Sequence, residues 1–294
     1  MRTLIACTTL LLLPLSALAN DAPCKFTENR ELKLELAGAK TVVFEVNQHD
    51  LHLVAGTGPA QLAGRACASN ADWLKELKLT QQRSGDKLVV SLRRDGKPSI
   101  SLGSGNYAWM DIRGSVPADV MVQLKVGSGD AHIEGAQALS VDVGSGDVDA
   151  LRTQGSVHAA VGSGDLVIDG ADTVNLLSLG SGDATVSNVR RDVRVGNVGS
   201  GDVDLRDIGG NANIDAIGSG DADVRQVRGN VEVDVVGSGD VGLRDITGNV
   251  RIGNIGSGGI RADGVGGNLT VERAGSADIR HSGVRGTVSL PRGK

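Results

Sequence analysis

Aromatic side chains make up only 2% of the 294 residues, and the five of them, Phe26, Phe44, Trp73, Tyr107 and Trp109, all lie before position 110. Past that point any core must be built from aliphatic side chains. Basic charge is also modest: 30 Lys and Arg against 35 Asp and Glu leave a formal net charge of −5, so no polybasic footprint for nucleic acid or anionic lipid exists. Cysteine is down to three residues and proline to six. Glycine, at 43 residues, is about twice its ordinary usage yet far below the one-third of collagen. The 40% hydrophobic content is too high for a disordered chain. What these exclusions leave is a periodic, aliphatic, glycine-punctuated fold.

The first segment is read as a targeting signal and set aside from the fold. Met1-Arg2-Thr3 supplies a short positive start, Leu4 to Leu18 an interrupted apolar run, and Ala17-Leu18-Ala19 an A-x-A site before Asn20. This is the pattern of a secretory signal peptide over residues 1–19, too short and too interrupted for a membrane anchor. Leu4-Ile5-Ala6-Cys7 resembles a lipoprotein cleavage box but precedes the apolar run that such a box must follow. No other stretch is long and apolar enough to span a membrane. The mature chain is therefore expected in the periplasm, at the cell surface or secreted. It keeps Cys24 and Cys67, an even count that in an exported protein points to a disulfide. A two-cysteine metal site would call for CxxC spacing and nearby His, which are missing.

The dominant feature is a repeat. Gly-Ser-Gly-Asp recurs at 127–130, 144–147, 162–165, 180–183, 199–202, 218–221 and 237–240, then decays to Gly256-Ser257-Gly258-Gly259 and Gly275-Ser276-Ala277-Asp278. The spacing is 17, then 18 twice, then 19. Numbering each unit from its first Gly, unit 199–217 carries apolar residues at positions 5, 7, 10, 14, 16 and 19: Val203, Leu205, Ile208, Ala212, Ile214 and Ile217. The period-two pairs read as short strands with one face inward. A unit this short cannot bury its own apolar face and must stack on its neighbours.

The predicted fold is thus all-β: a single-stranded parallel β-helix of 17–19-residue coils over 103–294, with right-handed coiling favoured. Nine coils at a strand spacing of about 4.8 Å make a rod roughly 43 Å long. Gly103-Ser104-Gly105-Asn106 reads as a degenerate first turn. Residues 20–102 hold alternating runs around Leu32–Leu36, Val42–Val46, Leu51/Leu53, Leu77/Leu79 and Leu88–Leu92, with Ser84-Gly85-Asp86-Lys87 as a hairpin turn. They are read as a β-rich N-terminal cap that covers the open end of the helix. Pro291 and the basic residues 292–294 are read as blunting the other end.

Position 4 places Asp130, Asp147, Asp165, Asp183, Asp202, Asp221 and Asp240 in one column, where neighbouring charges repel by about 0.9 kcal/mol in water and about 3.5 at an effective dielectric of 20. Two compensations are open. The carboxylates accept backbone N–H groups in Asx-type turns, with the glycines needed for positive φ or for close approach of coils, or they hold calcium. The nine-residue calcium-binding repeat does not match the register, since Val203 stands where its Asp would fall. Asn211, Asn230, Asn249 and Asn268 form a second column at position 13, where stacked amides can bond from coil to coil. Arg206, Arg225 and Arg244 form an outward stripe beside Asp204, Asp223, Asp207 and Asp245, either an anion- or polysaccharide-gripping face or a solvated one. His49, His52, His132, His158 and His281 share no unit position, and His49-x-x-His52 lacks a third metal ligand.

No nucleophile elbow, zinc-protease motif or phosphate loop is present, and the coils offer no aromatic platform for a sugar-processing enzyme. No catalytic residue and no cofactor other than the calcium already weighed is expected.

The exported start, the β-rich lead-in, Val116-Pro117-Ala118-Asp119-Val120-Met121-Val122-Gln123-Leu124 and the G-S-G-D coils together resemble bacterial β-strand-repeat proteins of unknown function that carry adhesin or auto-transporter adhesin-head labels. The resemblance covers roughly residues 30–290. It implies a single-stranded β-helix at the cell envelope and brings no catalytic residues with it. A self-inserting auto-transporter also needs a membrane barrel, of which these residues show no sign. The functional expectation is an exported, non-enzymatic scaffold or adhesin-like binding protein whose partner is an envelope protein or polysaccharide. The alternatives are a calcium-stabilised extracellular repeat module and a polysaccharide-acting β-helix enzyme.

Overall fold

In the computed structural model, which describes residues 24–96 and 105–291, the repeat folds as its pattern demands. Unit 199–217 contributes the strands Val203–Ile208 and Ala212–Ile217, and its six apolar positions are each at most 2% exposed. Val203–Ile208 pairs in parallel with Ala184–Val189 on one side and Ala222–Val227 on the other. Ala212–Ile217 does the same with Val193–Val198 and Val231–Val236. Each coil thereby places its unit positions over those of the coil before, and two 13-stranded sheets enclose one aliphatic core. The fold is an all-β parallel solenoid.

Large and small side chains share the position-7 column: Ala150, Ile168, Val186, Leu205, Val224, Leu243 and Ala262. Such mixing keeps the narrow core filled to close-packed density without aromatics. Strict alternation would put position 9 inward. Instead positions 8 and 9 are both exposed and position 10 is buried, because residue 9 takes a positive φ that resets the phase of the strand.

The N-terminal region is woven into the same two sheets. Thr41–Asn47 and Asp50–Gly56 form a coil on which Met121–Val126 and Ala131–Glu134 stack. The opposite edges of that coil pair in parallel with Lys87–Arg94 and Ala108–Pro117. Order along the chain and order along the rod therefore differ. Beyond them the pairing turns antiparallel. Gln61–Ala68 and then Phe26–Lys33 extend one sheet, and Leu77–Ser84 closes the other through a hairpin at Gly85-Asp86. A short helix, Ala71–Glu76, capped by the Asn70 side chain, links the two edges. The Cys24–Cys67 disulfide, with Cα atoms 5.7 Å apart, ties the outermost strand region to the next.

At the far end, Asp278–Ser282 and Val288–Ser289 are the last strands, and Ile279, Val284 and Val288 are only partly covered. His281 occupies the position-7 core column there, paired with Ala262. Among the described residues no helix is long and apolar enough to cross a membrane. The leader at 1–19, the cap boundary at 102/103, Gly103-Ser104 and residues 292–294 lie outside the described residues.

Candidate functional site

Position 3 of each Gly-Ser-Gly turn from residue 127 to 258 is buried glycine, and its reason is close approach. A methyl group on Gly146 would lie 1.7 Å from the carbonyl oxygen of Gly129, and on Gly220 1.9 Å from that of Gly201. The turn glycines do not adopt positive φ, which occurs across the strand at position 9. Beside them the Asp column runs along the surface. Asp130 Oδ1 accepts the backbone N–H of Asp147 at 3.0 Å, Asp147 that of Asp165 at 2.9 Å, and the pattern continues through Asp165, Asp183, Asp202 and Asp221. Asp240 ends it by accepting the N–H of Gly259. These bonds run between coils and not within a turn, so each carboxylate faces a donor from the next coil.

The column also reaches further than the motif. Asn47-Gln48-His49-Asp50 stands where a G-S-G-D turn would be, and Asp50 accepts the N–H of Asp130. Asp111 pairs with Asp50 on the outer side. Burial pushes the Asp50 carboxyl up, as do the neighbouring Asp130 and Asp111, against the opposing pull of the Asp130 N–H and of His52. His49, in the slot that glycine fills elsewhere, is fully buried; its Nδ1 accepts the Met110 N–H at 3.3 Å, and burial lowers its pKa to about 4.

The amide column is continuous from coil to coil. Asn230, Asn249 and Asn268 each donate their backbone N–H to the Oδ1 of the preceding Asn, at 2.8–2.9 Å. Asn230 and Asn249 add an Nδ2 donor to the same oxygen at 3.2 Å. Asp192 starts the series below Asn211 and Thr287 ends it above Asn268. Neither end residue is an Asn, which is why the sequence motif missed them.

His49 is buried in the turn before the strand Asp50–Gly56 and His52 is exposed on that strand. His52 stands in register with His132, their rings 6.1 Å apart, a shared position hidden by the shuffled coil order. Among the described residues no group of three or more His, Cys, Asp or Glu is arranged to hold a metal. The Arg stripe is interleaved with carboxylates: Arg225 bridges Asp204 and Asp223, and Arg206 lies 3.6 Å from Asp207.

A concavity lies at the opposite bend of the coils. It is a groove of about 790 Å³ lined by Asn188, Asp207, Gln226 and Asp245 at position 9 and by Arg190, Gly209, Arg228 and Thr247 at position 11, over a floor that includes Val189, Ile208 and Val227. The four position-9 residues have φ of 56–59°, a conformation that costs a residue such as Gln226 on the order of 1–2 kcal/mol and is more readily adopted by Asn and Asp.

No protein-family model matches the chain, and no curated protein does. Several solved structures are similar to it. One, a putative lipid binding protein from Parabacteroides distasonis, has a TM-score of 0.42 and 16% identity over 89% of this chain and 96% of its own. A putative adhesin from Bacteroides fragilis gives 0.31 and 15% over 92% and 99%. A putative cell adhesion protein from Clostridium sporogenes gives 0.26 and 12% over 90% and 99%. Adhesin names thus occur among its structural neighbours, as the sequence resemblance implies.

Of the position-9 residues the sequence singled out only Asp207 and Asp245, beside the Arg stripe. Gly135, Arg152, Gly170, Asn188, Asp207, Gln226, Asp245, Gly264 and Gly283 mix glycine with four other residue types, and only their common positive φ unites them.

Proposed function

We propose that this chain is an exported, non-enzymatic binding scaffold of the cell envelope. The observation that carries the reading is the rod itself: two continuous 13-stranded sheets hold outward side chains in fixed columns, one per coil, with the backbone hydrogen bonds of the bends passing from coil to coil. Such a stack is stiff along its length and offers extended surfaces for a partner. The disulfide fits an oxidising compartment. In this reading the Asp column is structural. Each carboxylate already accepts an N–H, which offsets the repulsion between neighbours without a cation.

Two measurements test it. In cells expressing the full chain, the product is expected to lose residues 1–19 by mass spectrometry and to sediment with isolated envelopes; an intact chain confined to the cytoplasm refutes the proposal. For the Asp column, thermal unfolding in EDTA and in excess calcium is expected to give the same midpoint, since a cation held at 100 times its dissociation constant would add about 2.7 kcal/mol. A calcium-dependent rise reversed by EDTA assigns the column to metal.

A further inference from the structure

We propose that the corner groove over residues 188–247 binds an extended, uncharged glycan chain. The proposal rests on the binding-scaffold reading and gives that scaffold its site.

Position 9 takes a left-handed backbone in each of the nine coils from residue 127 on, and four of them meet the need with glycine: Gly135, Gly170, Gly264 and Gly283. The four consecutive coils between Gly170 and Gly264 carry Asn188, Asp207, Gln226 and Asp245 in the same conformation. Strain of this kind collects where the side chain is used. Arg152, which stands alone between two glycine coils, has its use in view, because its guanidinium pairs with Glu134. The side chains of Gln226 and Asp245, and of Arg228 and Thr247 at position 11, have no hydrogen-bond or ion-pair partner among the described residues. All four are exposed and project from adjacent coils into one groove.

The chemistry of the lining selects the ligand. Arg190 is already paired with Asp172 and Asp207 with Arg206, which leaves Asp245 and Arg228 to balance each other, so a polyanion or a polycation meets its own sign of charge as often as the opposite one. Carboxylate, carboxamide, guanidinium and hydroxyl groups together offer acceptors and donors in alternation, which suits hydroxyl groups that both give and take a hydrogen bond. The groove is open and runs about 14 Å along the rod at one coil per strand spacing, a shape for a chain and not for an enclosed small molecule. An extended peptide would gain most by adding to a sheet edge, and a bend between the two sheets presents none.

The test uses residues 20–294 with the disulfide intact, titrated by calorimetry with β-1,4-linked glucose, α-1,4-linked glucose and β-1,4-linked N-acetylglucosamine hexasaccharides, the matching disaccharides, and polyphosphate. At least one hexasaccharide is expected to bind, its disaccharide about tenfold more weakly, and polyphosphate not at all. The double variant Gln226→Gly, Asp245→Gly removes two side chains while keeping a backbone that glycine supplies in neighbouring coils; it is expected to melt at or above the wild-type temperature, since glycine relieves the positive-φ strain, and to bind about tenfold more weakly. Ser200→Ala, Ser219→Ala, at the other bend, is expected to change nothing. A folded chain that binds none of the hexasaccharides, or a double variant that binds as wild type, overturns the assignment. Retention of that same chain on isolated envelopes would then show that the groove alone has failed, and loss of retention as well would take the scaffold reading with it.

Discussion

Gly182 is one of the tight points of the stack. A methyl group there would sit 1.8 Å from the carbonyl oxygen of Gly164, inside a bend whose backbone is held from both sides. Gly182→Ala is therefore expected to cost about 2–3 kcal/mol by overpacking, read as a lower urea midpoint at unchanged slope. His49 carries the clearest pH dependence. Its folded pKa, about 4, lies below its ordinary value of 6.5, so the unfolded chain takes up the proton first. Stability from the neutral imidazole is full above about pH 6.5 and falls as the pH drops towards about 4, by about 3 kcal/mol in all, levelling off below. The raised carboxyl of Asp50 works in the other direction over its own range, so the wild-type slope is smaller than His49 alone would give. Urea midpoints between pH 7 and 4 in wild type and His49→Gln check this; equal slopes would remove His49 from the acid response. At this scale the sequence announced the glycine but not its reason. A repeated Gly reads the same whether it supplies positive φ or a missing Cβ, and only the neighbouring coil decides between them.

For single elements, alternation was legible almost everywhere and placement was not. Val42, Phe44, Val46, Leu51 and Leu53 read from the sequence as two inward-facing strands, and all five are buried. Nothing in the sequence shows that these strands form a coil lying between Lys87–Arg94/Ala108–Pro117 and Met121–Val126/Ala131–Glu134, because their turn is Asn47-Gln48-His49-Asp50 and carries no glycine. The outer antiparallel strands depend on a different tie. The Cys24–Cys67 bond closes a 43-residue separation, worth about 4 kcal/mol in the chain-entropy treatment, and it joins only Phe26–Lys33 to Gln61–Ala68. Its loss should act locally, in the cooperative unit that contains those strands. Reduction is expected to speed amide exchange over residues 26–33 and 61–68 by at least tenfold and to leave amides beyond residue 148 unchanged. Uniform loss of protection along the rod would show that the edge and the coils open together.

The molecule as a whole couples its parts in one dimension, and the two ends of the rod answer differently to the same operation. Coil 199–217 touches only the coils on either side, and its unit positions are interchangeable with theirs: Val189 pairs with Ile208, which pairs with Val227. Excising residues 199–217 would join position 19 of one unit to position 1 of the next, Val198 to Gly218, as every junction after residue 180 already does. In a stack whose stability is a sum of unit and interface terms, this removes one unit and one interface and preserves the rest. The deleted chain is expected to fold, to be shorter by about 4.8 Å in solution scattering, and to melt only slightly below the parent. Removing residues 20–102 is a different operation. It takes away Thr41–Asn47 and Asp50–Gly56, the coil on which Met121–Val126 and Ala131–Glu134 stack, and strips Ala108–Pro117 of its neighbours on both edges. What remains has an exposed apolar end and an orphan strand, so it is expected to aggregate on expression while the one-coil deletion stays soluble. If both truncations behaved alike, the N-terminal strands would be an accessory to the rod; if only the second fails, they are its first coils, and any surface the protein presents to a partner begins with them.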